Sequence, residues 1–331
     1  MKKILMIGTG GTIASDISAD GLVPELDSKR LLEFIPQVKD ICSVDCIQLF
    51  SLDSTNIRPE HWVELVKVIK ENYYNYDGFV ISHGTDTMAY TAAALSYLVQ
   101  GSPKPIAITG AQKPIWFDGT DSKRNLTDAF IYACFGGGGV QIVFNGKVIL
   151  GTRARKTYSK SFQAFSSVNY PILAILQDEK LLQYITCSSL EKPVFYDSIH
   201  SNIGLLKLVP GMRSDICEYM MENHDGLVIE SFGVGGLPEY SDFYDAVRRG
   251  AEKGKMIVMT TQVPNEGSDL SVYHVGGRLK NSVRILEAYD MTTEAAITKL
   301  MWIRSLTSDF EVARELFYKP VANDILYPMT K

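Results

Sequence analysis

The chain has 331 residues, of which 46% are hydrophobic and 21% charged, and its formal net charge at pH 7 is −5. This composition is typical of a folded globular protein, and an acidic chain without a concentrated Lys/Arg surface argues against a nucleic-acid partner. No apolar run approaches the roughly 20 residues of a membrane-spanning helix, so no membrane partner is expected.

The length favours two domains, or one large α/β domain with an appended piece. The N-terminal MKKILMIG has too short an apolar stretch for a signal peptide and runs into a glycine turn, so we predict that it forms the first core strand. The five cysteines are scattered and odd in number, which suits buried small side chains in a reducing cytoplasm better than a disulfide framework or a zinc site.

The N-terminal residues alternate predicted strands and helices, the order that specifies a parallel sheet with crossover helices. Several of the strands are runs of Val, Ile and Phe, as expected for strands covered on both faces, and they lie at residues 3–7, 44–50, 78–82, 105–109 and 140–144. Helices are predicted between them at residues 28–35, 59–72, 86–99 and 122–134. The clearest helix has Pro59 in its first turn and repeats Trp62, Leu65, Val66 and Ile69 along one face.

A second, smaller α/β domain is predicted after a linker. Residues 188–202 lose the periodicity and carry Ser, Pro and charged side chains. Beyond them, strands are predicted at residues 205–209, 227–230 and 255–260, and helices at residues 214–223, 241–253, 293–303 and 309–317. The predicted fold class is therefore α/β, with a large N-terminal parallel-sheet domain over residues 1–187 and a smaller C-terminal α/β domain over residues 203–331.

The turn after the first strand is rich in glycine and carries a hydroxyl. Ligands of open parallel sheets bind beyond the carboxyl ends of strands, where loops converge. Residues 8–15 read GTGGTIAS, and the glycines allow a sharp turn and close approach to a ligand. The third glycine of a dinucleotide loop would fall at Ile13, and no phosphate-binding Lys-Ser/Thr follows, so nucleotide binding is disfavoured. Thr12 thus lies in a ligand-binding turn or in a plain structural one.

Polar side chains also follow the second and third predicted strands. Thr85 and Asp86 come directly after the third strand, and each alone is more typical of a helix cap than of a binding residue, with Asp86 opening the next helix. Because Thr12 ends another strand of the same sheet, the pairing favours a shared cleft. Residues 52–56 (LDSTN) leave the second strand and serve as a cap, as binding residues, or as both. His83 is interpreted as a packed histidine.

A threonine nucleophile needs a group that takes its proton, because its hydroxyl is protonated at neutral pH. A desolvated lysine held by a carboxylate is able to do so. The candidates lie in and after residues 151–156 (GTRARK), and the spacing alone does not choose between Lys156 and Lys160. A solvated basic surface is the alternative for both.

Together these segments resemble the bacterial-type L-asparaginase family, and especially its type I cytosolic branch. The resemblance is spread over the chain, and the two threonine signatures, in this order and at this spacing, are its most specific part. The matching segments are residues 9–14, 53–56, 83–88, 108–114, 151–156, 232–236 and 290–300.

The resemblance implies a hydrolase of linear amide bonds that converts L-asparagine and water to L-aspartate and ammonia, without a cofactor or a metal. It implies that Thr12 is the nucleophile that forms a β-aspartyl ester, and that Thr85, Asp86 and Lys156 form a second catalytic group. The implied substrate-binding residues are Gly11, Ser54, Thr55, Gly84, Asp86 and Ala111. It further implies a lid over residues 10–27, a cytoplasmic location, and a homodimer or homotetramer with active sites near the subunit interface.

Three positions depart from the family pattern. Leu22 stands where many members have a lid tyrosine, and leucine does not relay a proton, so Thr12 needs another activating group. Gly236 replaces an asparagine that contacts the neighbouring subunit's substrate, and the acidic pair Glu266 and Asp269 either takes over that contact or lies in an exposed loop. Val263 occupies the position of a cysteine that marks a separate, regulatory asparagine site in one branch of the family. Regulation by asparagine at such a site is therefore not expected.

Other activities share these signatures. A glutaminase–asparaginase, or an amidase acting on a larger asparaginyl compound, would use the same chemistry, because one methylene in a pocket is worth only about 1–3 kcal/mol. A tRNA-dependent amidotransferase subunit has an additional N-terminal domain, whereas this chain begins directly at its first strand, so that activity is not expected. A non-catalytic amino-acid sensor would be expected to lack one of Thr12, Thr85, Asp86 and Lys156, and all four are present.

Overall fold

The structure, a computed structural model, describes residues 1–18 and 21–326, and for residues 17, 18, 21, 22 and 24 it describes the backbone alone. The chain divides into two compact units, Met1–Asp197 and Ser198–Lys331. In the described part, no helix has both the length and the apolar character to cross a membrane. The five cysteines are free thiols, and Cys42, Cys134 and Cys217 are buried.

The first unit is built around strands that alternate with helices. Its strands are β1 (Lys2–Gly10), β2 (Ser15–Ser18), β3 (Gly21–Pro24), β4 (Cys42–Leu52), β5 (Gly78–Ser82), β6 (Val99–Gln100), β7 (Pro105–Thr109), β8 (Gly139–Phe144), β9 (Lys147–Leu150), β10 (Ala154–Lys156), β11 (Phe165–Ser167), β12 (Ala174–Gln177), β13 (Lys180–Gln183) and β14 (Val194–Phe195). Its α-helices are α1 (Ser28–Glu33), α2 (Val38–Ile41), α3 (Pro59–Asn72), α4 (Met88–Leu98) and α5 (Ser122–Phe135). Single 3-10 turns lie at Thr12–Ala14, Ser54–Asn56 and Tyr73–Asn75.

Eight strands form the main sheet of this unit, in the order β13-β12-β9-β8-β7-β5-β1-β4. The five strands predicted from sequence are β4, β1, β5, β7 and β8, which lie side by side and are all parallel, so the predicted parallel sheet is confirmed. The sheet continues past β8 with the antiparallel strands β9, β12 and β13, which the sequence analysis missed. Residues Ile4 to Ile7 of β1 are fully buried, as a strand covered on both faces requires.

Helix α3 confirms the predicted helix at residues 59–72 and holds the next one in place. Its Pro59 lies in the first turn, where a missing N–H costs nothing, and its apolar face is buried. The Trp62 indole nitrogen of this face donates a hydrogen bond to Thr91 Oγ1 of α4 at 3.0 Å. Helix α4 is therefore fixed against α3, and the loop between β5 and α4 has a defined position.

The second unit contains a smaller parallel sheet in the order β15 (Ile203–Lys207), β16 (Gly226–Ser231), β17 (Met256–Thr261) and β18 (Leu286–Glu287). Its helices are α6 (Ser214–Asn223), α7 (Phe243–Glu252), α8 (His274–Ser282), α9 (Thr293–Leu306) and α10 (Phe310–Tyr318). The predictions missed α8 and β18. The pair Gly276 and Gly277 interrupts the helical pattern of α8, since each glycine costs about 1 kcal/mol relative to alanine, and a two-residue strand has no period to detect.

Candidate active site

The strand order reverses at the carboxyl ends of β1 and β5, where a doubly wound sheet has its ligand-binding crevice. The crossover from β1 leads to β4 on one side of it, whereas the crossover from β5 leads to β7 on the other side. Doubly wound sheets bind their ligands at such a reversal of strand order. The register pairs Gly8 of β1 with Ser82 of β5, so the loops that follow leave from adjacent strand ends.

The loops after β1 and β5 touch each other through glycine backbone. Gly11 has a φ of +79°, and a methyl carbon placed on it would lie only 2.3 Å from the backbone nitrogen of Gly84. The Gly11 N–H also donates to the Leu52 carbonyl at 2.9 Å, which ties the turn to the end of β4. Thr12, the next residue, begins a 3-10 turn and is half-buried. Thr12 therefore directly follows Gly11, whose backbone contacts Gly84, and Gly84 directly precedes Thr85.

The loop after β4 joins the same crevice through Ser54. A methyl carbon on Gly84 would lie 2.6 Å from Ser54 Cβ, so these two loops are also in close contact. Ser54 is buried, its Oγ accepts a hydrogen bond from the Asp86 N–H at 3.3 Å, and its carbonyl accepts one from Thr87 Oγ1 at 2.8 Å. Three strand-end loops, from β1, β4 and β5, thus meet at one point.

Lys156 connects the two polar side chains that follow β5. Its Nζ donates to Thr85 Oγ1 at 2.8 Å and to Asp86 Oδ1 at 2.6 Å. The exposed fraction of the Lys156 side chain is 17%, against 57% for Asp86, so the lysine is the more buried partner of the ion pair and the carboxylate is open to solvent. The arrangement presents a hydroxyl, an ammonium and a carboxylate in hydrogen-bonded sequence.

The local structure explains why these residues meet. Lys156 ends the short strand β10, which pairs with β11 in register Lys156 to Phe165, whereas Lys160 lies exposed in the connection between the two strands. The predicted helix start at Asp86 is wrong by two residues, because α4 begins at Met88. Thr85 and Asp86 therefore precede the helix, and their side chains bond to Lys156 in place of the helix N-terminus.

Other predicted substrate-binding residues lie nearby in different environments. Ala111 lies two residues after the end of β7 and is fully buried, so its methyl group is not exposed to a ligand. Thr55 is exposed, and its hydroxyl donates to Asp53 Oδ1 at 2.8 Å, so it contributes to capping the 3-10 turn. Asp53 also accepts from the Thr55 N–H, which fits the capping alternative for this segment. The side chain of Leu22 lies outside the described part of the chain.

His83 is buried beneath the crevice and confirms the interpretation as a packed histidine. Its Nδ1 lies 2.6 Å from the Gly84 carbonyl and its Nε2 lies 2.9 Å from Thr91 Oγ1. Burial lowers the pKa of His83 to about 4, and the Gly84 contact opposes part of that shift. The imidazole is therefore neutral at physiological pH and holds the Gly84 backbone in place.

The sequence analysis missed Gln112, whose side chain reaches Thr85. Gln112 Oε1 lies 3.3 Å from Thr85 Oγ1, and the Gln112 N–H donates to the Asp121 carboxylate at 3.0 and 3.1 Å. Gln112 follows the carboxyl end of β7, the strand next to β5, so the strand-end rule was the signal that could have found it.

Gly236, Glu266 and Asp269 all lie in the second unit. Gly236 makes a single antiparallel bridge with Phe232, and Glu266 has a positive φ of 73°. Asp269 Oδ1 accepts a hydrogen bond from the Ser271 N–H at 3.0 Å. Within residues 1–18 and 21–326, no three His, Cys, Asp or Glu side chains form a group that could hold a metal ion.

Comparison with known proteins covers both units. The family model described as "Asparaginase, N-terminal" matches residues 3–186, and the model described as "Glutaminase/Asparaginase C-terminal domain" matches residues 202–317. The L-asparaginase of Thermococcus kodakarensis is 36% identical over 325 residues, which cover 98% of this chain and 99% of that protein.

Solved structures and a second class of relative extend the comparison. The structure titled "The thermostable L-asparaginase from Thermococcus kodakarensis" superposes with a TM-score of 0.93 at 35% identity, covering 98% of this chain and 99% of that one. A probable cytoplasmic L-asparaginase from Campylobacter jejuni gives a TM-score of 0.83 at 26% identity, with coverages of 97% and 100%. A glutamyl-tRNA(Gln) amidotransferase subunit of Pyrococcus furiosus is 32% identical, over 100% of this chain and 78% of that protein.

Proposed function

The chain belongs to the asparaginase family, and from this membership we propose that it hydrolyses the side-chain amide of L-asparagine to L-aspartate and ammonia through an ester on Thr12. The observation that carries the proposal is the backbone contact between the loops that bear Thr12 and Thr85. This contact supports a position of Thr12 close to Thr85, whose hydroxyl accepts a hydrogen bond from Lys156. A nucleophile and a proton-transfer group then share one crevice, as a two-step covalent hydrolysis requires.

The zwitterionic end of the substrate is bound by Ser54 and Asp86 in this proposal. The Asp86 carboxylate is more than half exposed and keeps one oxygen on Lys156, so it can also accept a substrate ammonium group. The Ser54 hydroxyl accepts from the Asp86 N–H, which leaves its own proton to donate to the substrate carboxylate. Backbone groups of Gly11, Gly84 and Ala111 supply the remaining contacts.

The first chemical step forms the ester. The Thr12 hydroxyl oxygen attacks the amide carbon of the asparagine side chain, and backbone N–H donors of the loop that bears Thr85 stabilise the negative charge that develops on the amide oxygen. The C–N bond breaks, the nitrogen leaves as ammonia with the proton that Thr12 has lost, and a β-aspartyl group remains on Thr12. Since Leu22 replaces the lid tyrosine of other members, this proton does not pass through residue 22.

The second step hydrolyses the ester. A water molecule attacks the ester carbonyl, and its proton is transferred through the hydrogen-bonded pair of Thr85 Oγ1 and Lys156 Nζ. The bond to Thr12 breaks, the proton returns to the Thr12 oxygen, and aspartate is released. Asp86 holds the lysine over the hydroxyl throughout.

The segment after Thr12 is proposed to act as a lid over residues 10–27. Its strands β2 and β3 pair antiparallel, from Ser15 with Pro24 to Ser18 with Gly21, so a hairpin directly follows the nucleophile. The residues between them, 19 and 20, lie outside the described part. Closing this hairpin over the bound substrate would exclude bulk water from the ester.

The preferred substrate is tested by comparing kcat/KM for asparagine and glutamine. We expect asparagine to be favoured by about 10-fold or more, the effect of one methylene that a fitted pocket does not accommodate. Ammonia release by the purified chain, without tRNA or another subunit, is the measurement. A preference for glutamine would contradict the narrow substrate assignment, and ammonia release only in the presence of tRNA would favour the amidotransferase alternative.

The contact between the two loops gives a second prediction. Gly11→Ala should lower kcat by about 100-fold, because the new methyl group must push the turn away from Gly84 and a shift of about 1 Å at a reacting group costs that much. Gly119→Ala is the matched control, since Gly119 also has a positive φ, of 67°, but nothing lies within 4 Å of the added carbon. Its kcat should stay within about 2-fold of the wild type, with only a small loss of stability. Equal activity of the two variants would contradict the loop contact.

We also propose a homodimer or homotetramer in the cytoplasm, with active sites near the subunit interface, and a domain division into residues 1–187, a linker at 188–202 and residues 203–331. The family resemblance supports the assembly, and the printed description of the Campylobacter jejuni relative as a probable cytoplasmic L-asparaginase supports the location. The separation of the two compact units after Asp197 supports the domain division.

A further inference from the structure

Gln112 contacts three segments of the first unit: the loop after β5, the connection between β10 and β11, and the residue that precedes α5. Its backbone N–H and that of Lys113 donate to the Asp121 carboxylate, at distances of 3.0 to 3.2 Å, which fixes the main chain just before α5. Its side chain then extends to Thr85 and to the connection between β10 and β11. The backbone anchor leaves the side chain free to serve as a link between those two segments.

The partners of the amide settle which of its ends faces Thr85. Gln112 Nε2 lies 3.2 Å from the Ser159 carbonyl oxygen and 3.1 Å from the Ser161 carbonyl oxygen. A carbonyl oxygen accepts hydrogen bonds and never donates one, so the NH₂ group must point at this pair. The opposite end, Oε1, therefore faces Thr85 Oγ1 at 3.3 Å, and the Thr85 hydroxyl donates to it.

The hydroxyl of Thr85 is held from both sides as a result. Lys156 Nζ donates to it at 2.8 Å, and it donates in turn to Gln112 Oε1. The Gln112 side chain donates hydrogen bonds to the connection over residues 157–164, which starts immediately after Lys156. The Gln112 side chain therefore also limits the movement of the Lys156 backbone. One residue thus maintains the distance between the two groups that transfer protons.

We propose that Gln112 is a positioning residue for the hydrolysis of the ester, acting through Thr85 and the segment after Lys156. The inference rests on the proposed function, and it assigns Gln112 no contact with the reacting atoms. Thr85 and Lys156 act on the attacking water, whereas Thr12, Ser54 and the Asp86 carboxylate bind and acylate without Gln112. Loss of Gln112 therefore slows the second step and spares the first.

A selective defect in the second step has a kinetic signature. When ester hydrolysis limits turnover, kcat and KM fall by the same factor, and kcat/KM, which reports the steps up to acylation, is unchanged. An inactive or misfolded fraction lowers the apparent kcat but leaves KM as it was. The two explanations are therefore separable in one experiment.

The test is Gln112→Met, which keeps the length of the side chain and removes both polar ends. We expect kcat for asparagine to fall by about 10- to 100-fold, as for a reacting group displaced by up to about 1 Å, with KM falling in proportion and kcat/KM within about 2-fold of the wild type. Samples quenched with acid during turnover should carry one aspartyl group on most molecules. A fall in kcat/KM with an unchanged KM and no bound aspartyl group would overturn the inference.

Two further variants sharpen the outcome. Gln163→Met makes the same substitution at an exposed position in the same connection, and it should match the wild type. Gln112→Glu keeps an oxygen acceptor for Thr85, and it should accumulate less ester than Gln112→Met; equal accumulation would overturn the role of the Thr85 contact. A wild type that releases no ammonia from asparagine would contradict the proposed function itself, whereas an active wild type matched by Gln112→Met would overturn this inference alone.

Discussion

Replacing Thr12 by alanine should lower kcat for asparagine by about 10³-fold or more, because loss of a covalent nucleophile costs on the order of 10⁶-fold where it has been measured. Without the Thr12 oxygen no ester forms, and only direct attack of water on a bound amide remains. The hydrogen bonds from Lys156 to Thr85 and to Asp86 should stay intact, because neither of them involves Thr12. Ammonia release under saturating asparagine is the measurement.

The matched variants for this experiment separate the hydroxyl from the fold. Thr12→Ser keeps a hydroxyl at the same position and should retain activity well above that of Thr12→Ala. Thr186→Ala removes a threonine hydroxyl from an exposed position of the same unit and should leave kcat within about 2-fold of the wild type, as surface substitutions usually do. If Thr12→Ala kept the wild-type rate, Thr12 would not be the nucleophile.

Replacing Lys156 by methionine should lower kcat by about 10²- to 10⁴-fold, the usual contribution of a general acid or base. The apolar side chain fills a similar volume but gives the water proton no acceptor beyond Thr85. Because the variant retains Thr12, the ester should form and persist, so KM should fall together with kcat. Steady-state kinetics gives kcat and KM, and the mass of the acid-quenched protein shows whether the ester has accumulated.

The identity of the lysine is tested by two comparisons. Lys160→Met changes the exposed lysine four residues later and should leave kcat within about 2-fold of the wild type. Lys156→Arg keeps the charge and the ion pair with Asp86, but a guanidinium does not give up its proton in proteins, so its kcat should be nearly as low as that of Lys156→Met. Wild-type turnover by Lys156→Arg would show that the residue serves only to place a positive charge.

The central sheet could be predicted from sequence because each of its parallel strands is buried on both faces. A run such as Ile4 to Ile7 has no polar alternative, so its position in the core follows from composition alone. The antiparallel extension could not be found in the same way. Strand β13, over Lys180–Gln183, is mostly exposed, and β12 before it alternates between buried residues and residues that are partly or fully exposed.

The candidate site was only partly predictable, because some of its contacts join residues that are far apart in the sequence. Thr12 and Thr85 end adjacent parallel strands, and a general rule of such sheets sends both to one edge. The choice of Lys156 over Lys160 depends on the pairing of β10 with β11, which spacing in the sequence does not specify. Gln112 acts through hydrogen bonds to residues 27 to 49 positions away, so no local pattern marks it.

The most direct measurement locates the acyl group. Lys156→Met is mixed with asparagine, quenched with acid and digested, and the mass of each peptide is determined. The account predicts one aspartyl group on the peptide that contains Thr12, and none when Thr12→Ala is combined with Lys156→Met. An aspartyl group on the peptide that contains Thr85, or ammonia release by the variant without any bound aspartyl group, would contradict it.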